Sequence, residues 1–95
     1  MSKPDPEVKV DLDEILLRFV LSPDPVLIAS EIARPYDITR QTAANYLERL
    51  DDDGLLRSKS AGNRRMFWIT YEGRGRVANV FADEIFDYLS DNHQP

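Results

Sequence analysis

Ninety-five residues with a formal net charge of −5 and no cysteine make one small domain, which excludes a two-core architecture, disulfides, thiolate nucleophiles and Cys-based zinc sites. No apolar run approaches the ~20 residues that span a bilayer, and the opening "MSKPDPEVKV" lacks the apolar centre of a signal peptide, so a cytoplasmic protein with no membrane partner is expected. A chain this short buries roughly 60–65% of its unfolded surface, so it folds with little reserve and would gain from a partner subunit.

Residues 1–10 contain two prolines and no periodic pattern. They are expected to form a disordered arm before a folded domain over 11–90, with 91–95 as a frayed tail. Leu12, Ile15, Leu16, Phe19 and Val20 follow the i, i+3, i+4, i+7, i+8 series of one helix face. Asp11 or Asp13 suits the positive end of that helix. "SPDP" stops it. Asp24 followed by Pro25 predicts the start of a second helix, carrying Ile28, Ala29, Ile32 and Ala33. Pro35 disfavours helical geometry at Arg34, so this helix is expected to be short.

Residues 36–38 form a turn in this reading, and Thr39 caps a third helix. Ile38 packs on Ala43 as a hydrophobic staple. Ala43, Leu47 and Leu50 face inward with Tyr46 beside them, and Gly54 closes the helix. "LLRSK" and "RMFWIT" then predict two antiparallel strands around the turn "SAGNR". Phe67 and Ile69 alternate inward. Trp68 points the other way, toward the last helix or a neighbouring subunit. Thr70 caps a final helix over about Tyr71 to Leu89. Its apolar stripe is Val77, Phe81, Ile85 and Leu89, widened by Val80, Phe86 and Tyr88.

The predicted class is mainly α with a small β-hairpin: a three-helix core, a two-stranded wing and a C-terminal helix. That order, with three local motifs, resembles the winged helix–turn–helix transcription regulators over about residues 12–90. "IASEIARPYDITRQTAANYLERL" is similar to their helix–turn–helix unit, "LDDDGLL" to the exit into the wing, and "FWITYEG" to the Y-x-L-T-x-x-G type ending of the wing. MarR-like regulators and repressors of viruses of halophilic archaea are the most similar. The chain departs from the pattern at Asp37, where such turns place Gly, and at Pro35. Asp tolerates the left-handed conformation, so the turn is expected to survive.

The resemblance implies that the third helix enters the major groove of double-stranded DNA. Arg40, Gln41, Ala44 and Asn45 would then face base edges: Arg suits guanine, Gln and Asn suit adenine, and Ala meets a thymine methyl. Thr39, Thr42 and Arg49 are placed for phosphates. The hairpin offers Lys59, Asn63, Arg64 and Arg65 to the backbone or minor groove. Arg64 and Arg65 also suit a simpler role, keeping a strand edge from pairing with another sheet. The charge is distributed to match DNA binding. Residues 1–33 hold three basic and seven acidic side chains, residues 34–76 hold nine basic and six acidic, and residues 77–95 hold four acids and no Lys or Arg. A basic island thus lies between acidic flanks, and local potential rather than net charge steers a ligand. Eleven Asp against six Glu, and three Lys against nine Arg, resemble the composition of proteins from salt-loving archaea.

Asp51, Asp52 and Asp53 do not converge as a metal site, because successive helical positions point about 100° apart. His93 stands alone in the tail, and no carboxylate accompanies a nucleophile or a phosphate loop. No enzyme and no cofactor are expected. The wide face of the last helix, Val77, Val80, Phe81, Ile85, Tyr88 and Leu89, is the expected homodimer interface, placing two reading helices about one DNA turn apart. The alternative function is a winged-helix module that binds protein in transcription or chromatin machinery.

Overall fold

A computed structural model describes residues 10–92, without the side chains of Tyr88, Asp91 and Asn92. Residues 1–9 of the expected arm over 1–10, and the tail residues 93–95, His93 among them, lie outside it. The element order is α1 (Leu12–Leu21), α2 (Ala29–Tyr36), α3 (Arg40–Asp52), β1 (Leu56–Ala61), β2 (Arg64–Ile69), α4 (Tyr71–Val80) and α5 (Ala82–Asn92). Among the described residues no helix is long and apolar enough to cross a membrane.

Asp11 caps α1, its carboxylate accepting the Asp13 amide at 2.9 Å. Ile15, Leu16 and Phe19 are buried, as their spacing requires. Val10, assigned by sequence to the arm, is also in the core at 3% exposure. The second helix does not start at Asp24. Asp24 and Pro25 lie in a bend, and Leu27 pairs with Phe67 by two backbone hydrogen bonds of 2.9 Å. The helix begins two residues later, and Glu31 reaches back to accept the Ile28 amide at 2.9 Å. A buried leucine with both backbone groups paired on the hairpin outweighs a local cap.

Nor does Pro35 end α2 at Arg34. The helix runs to Tyr36 with Pro35 inside it. Proline removes one hydrogen bond, to the carbonyl four residues back, and here that loss falls in the last turn of an eight-residue helix. Asp37 then takes the left-handed conformation, with φ 57° and ψ 45°. The Asp37 and Ile38 amides close the turn on the Arg34 and Ala33 carbonyls, both at 3.2 Å.

Thr39 caps α3, its hydroxyl accepting the Thr42 amide at 3.0 Å. At the other end the Leu55 amide donates to the Leu50 carbonyl and the Gly54 amide to that of Asp51, both at 2.9 Å, with Gly54 at φ 81°. This is a Schellman closure, and it turns the chain directly into β1. The strands pair antiparallel from Leu56 with Ile69 to Ala61 with Arg64. The turn is only Gly62–Asn63, with φ 64° at Gly62, so the strands run further into the tip than their composition suggests.

The C-terminal helix is two helices. At Phe81 the backbone leaves helical geometry (φ −109°, ψ 23°), and α5 starts at Ala82 with Asp83 and Glu84 in its first turn. Those two acids suit the positive end of a new helix. Thr70 caps α4, accepting the Gly73 amide at 2.9 Å and donating to the Gly54 carbonyl at 2.8 Å. Arg76 of α4 clamps Asp13 of α1 through Nε at 2.9 Å and Nη2 at 3.2 Å. The hydrogen bond and charge of Asp13 raise the already high pKa of Arg76. Ile15, Leu16, Ile32, Leu47, Leu50, Leu56 and Phe67 form the centre of one core, each under 2% exposed or at 2% for Leu50. No polar side chain is buried among the described residues.

Candidate nucleic-acid interface

The core fixes which face of α3 is free. Ala43, Leu47 and Leu50 point inward, so the residues between them point out. Arg40, Gln41 and Asn45 are exposed, and Thr42 and Ala44 are half-buried. Gln41 and Asn45 are one turn apart, and the Gln41 amide nitrogen donates to the Asn45 carbonyl oxygen at 3.0 Å. Two side chains expected to read bases therefore hold each other in place. The hydroxyl of Thr39 donates to that of Thr42 at 2.9 Å, so both threonines are engaged in closing the N-terminus of the helix.

Arg40, Gln41 and Ala44 line an open hollow of about 270 Å³ together with Asn63, Arg64 and Arg65 from the hairpin. Three arginines and two amides from separate elements thus meet on one concave surface. Ile28, Ala29 and Ser30, at the start of α2, complete its wall. They were not legible in the sequence, because the apparent start at Asp24–Pro25 displaced the helix terminus. That terminus matters electrostatically: its first amides carry partial positive charge and suit an anion. Glu48 also lines the hollow and is the one acid among its lining residues.

The other expected contacts are arranged differently. Arg49 is exposed but lies with Asn45 on a second hollow, of about 300 Å³, beside Glu48, Asp52 and Asp53. Lys59 is exposed on β1 opposite Met66 and lines neither hollow. Arg65 is bound to Glu48 at 2.8 Å and to Asp51 at 3.2 Å. Asp51, Asp52 and Asp53 do not gather into a metal site; no such group occurs among the described residues.

The expected dimer face also divides. Val77 is 3% exposed and belongs to the chain's own core, and Phe81 is half-buried against it. Val80, Ile85 and Leu89 are exposed at 40%, 39% and 50%, with Phe86 at 68%. The Tyr88 side chain lies outside the described residues.

No protein-family model matches the sequence, and no curated protein matches it. The structure does match solved ones. MepR, a transcription regulator of the Staphylococcus aureus multidrug efflux pump MepA, superposes with a TM-score of 0.68 at 20% identity, over 95% of this chain and 67% of that one. A MarR family transcription regulator gives 0.65 at 19%, over 95% and 60%. Sso10a-2, a DNA-binding protein from Sulfolobus solfataricus, gives 0.60 at 22%, over 87% and 84%. The chain thus spans about 60% of the length of the second of these regulators. The fold is the winged helix–turn–helix of MarR-type regulators: mainly α, with α2 and α3 as the helix–turn–helix and β1–β2 as the wing.

Proposed function

We propose that the chain is a sequence-specific DNA-binding transcription regulator, without enzymatic activity, acting in the cytoplasm as a homodimer. In this reading α3 enters the major groove and the wing follows the adjacent backbone. One observation carries it: Arg40, Gln41 and Ala44 of α3 share a single concave surface with Asn63 and Arg64 of the wing and the N-terminus of α2. Arg40 is suited to guanine, and the Gln41–Asn45 pair offers amide groups suited to adenine. Thr39, Thr42, Arg49 and Lys59 do not line that surface and in this reading meet phosphates. The exposed apolar side chains of α5 supply the two-fold contact, which sets two α3 helices about one DNA turn apart on a roughly palindromic site. The MarR-type neighbours support this reading by fold.

Titration of duplex DNA at several salt concentrations tests it. Binding should weaken steeply as salt rises, with a log–log slope of about −0.9 per phosphate contacted. Arg64→Ala should flatten that slope by about one. Absence of binding at low salt would sink the proposal and leave the protein-binding module as the better reading. The Asp-rich composition suits a salt-rich cell interior, so the series includes high-salt points at which the fold is checked by circular dichroism.

A further inference from the structure

Arg64 and Arg65 are neighbours on β2, yet their guanidinium groups are in opposite situations. The Arg64 side chain makes no hydrogen bond or ion pair among the described residues and lines the hollow. Arg65 also lines the hollow and its side chain is 41% exposed, but all three of its guanidinium nitrogens are hydrogen-bonded. Its Nε donates to Ser58 Oγ at 3.2 Å, Nη1 to Glu48 Oε2 at 2.8 Å, and Nη2 to Asp51 Oδ2 at 3.2 Å and to Ser58 Oγ at 3.0 Å. Ser58 in turn donates to Asp51 Oδ2 at 2.6 Å. The face of the guanidinium is covered as well, with Cζ 5.1 Å from the centre of the buried Phe67 ring.

A guanidinium has five N–H donors in a fixed fork. All three of its nitrogens here serve two carboxylates and a hydroxyl, through four of those five N–H groups. A phosphate would find only one Nη1 N–H left to bind, and Glu48 and Asp51 would repel it at the same spot. The network also joins three elements: Glu48 and Asp51 lie three residues apart on one face of α3, Ser58 is on β1, and Arg65 is on β2. We infer that Arg65 is a positioning residue that seats the wing against the C-terminal half of α3 and does not itself contact DNA. Its network sets the separation between the reading face of α3 and Arg64. Lysine could not replace it, because a single ammonium cannot match the fork that spans Glu48, Asp51 and Ser58.

The DNA part of this inference rests on the proposed function, so the test has two arms, both with the full chain. In the first, Arg64→Ala, Arg65→Ala and Arg65→Lys are titrated with duplex DNA across salt. Arg64→Ala is expected to flatten the slope by about one. Both Arg65 variants should keep the wild-type slope and bind several-fold more weakly at every salt concentration. Arg65→Lys keeps a charge, so it also serves if Arg65→Ala does not fold. The inference is overturned if Arg65→Ala flattens the slope by about one and Arg65→Lys restores it, as a phosphate contact requires.

The second arm needs no DNA. Thermal unfolding of Glu48→Ala, Arg65→Ala and the double variant should show non-additive shifts in Tm, while Glu48→Ala and Arg64→Ala add. Additive shifts for Glu48 and Arg65 would also overturn the inference. If the wild-type chain does not bind DNA at low salt, the proposed function falls, and the wing-seating role is decided by this second arm.

Discussion

At Asp37 the backbone is left-handed (φ 57°) between α2 and α3, a conformation that costs most L-residues about 1–2 kcal/mol. Asp bears it better than a β-branched residue. Asp37→Val is therefore expected to lose about 1–2 kcal/mol in chemical denaturation. Asp37→Gly should change stability by less than about 0.5 kcal/mol, because relief of strain is offset by the greater freedom of glycine in the unfolded chain. Gly73 answers a different demand. A Cβ there would overlap the Leu55 carbonyl oxygen and crowd Ile69 Cγ1. Gly73→Ala should cost about 1–3 kcal/mol, and a domain of this size then melts ~4–8 °C lower per kcal/mol. The sequence motif around Gly73 was recognisable, but its cause was not. Only the close approach of α4 to the turn before β1 shows why glycine stands there.

The two threonine caps can be compared at the scale of whole elements. Thr39 caps α3 and donates only to the Thr42 hydroxyl in the same turn, whereas Thr70 caps α4 and also bonds the Gly54 carbonyl, sixteen residues back in the chain. Thr39→Ala should cost about 1 kcal/mol, and Thr70→Ala about 2 kcal/mol because it also strands the second bond. Urea unfolding of the two variants side by side checks the order; equal losses would count against a role for the Gly54 bond. Elements with such local signals were legible before folding. Thr39 and Gly54 bracket α3, Asp11 opens α1, and Gly62–Asn63 sits between the strands. The start of α2 was not legible, since Leu27 is taken by its pairing with Phe67, forty residues on in the chain. The break at Phe81 carries no proline or glycine to announce it. Asp83 and Glu84 were its faint local sign.

At the scale of the whole molecule, four apolar side chains are exposed on α5 and its approach among the described residues: Val80, Ile85, Phe86 and Leu89. If that face joins two copies, Phe86→Glu should give a monomer by sedimentation and reduce affinity for a palindromic duplex. Because Phe86 is 68% exposed, the same change should alter the stability of the single chain by no more than about 0.5 kcal/mol. An unchanged sedimentation coefficient would remove Phe86 from the contact. Sequence alone determined the three helices and hairpin in order with helix after them, though not its division into α4 and α5, the inward positions Ile15, Leu16 and Phe19 of α1 and Ala43, Leu47 and Leu50 of α3, and the basic island over residues 34–76. These follow from periodicity, caps and charge, which act over a few residues and so can be read along the chain. Folding decided which members of that island are free. The Arg64 guanidinium is left unpaired, that of Arg65 is tied to Glu48, Asp51 and Ser58, and the start of α2 is brought into the same hollow. Those outcomes depend on distances between residues far apart in the chain, which no local pattern encodes.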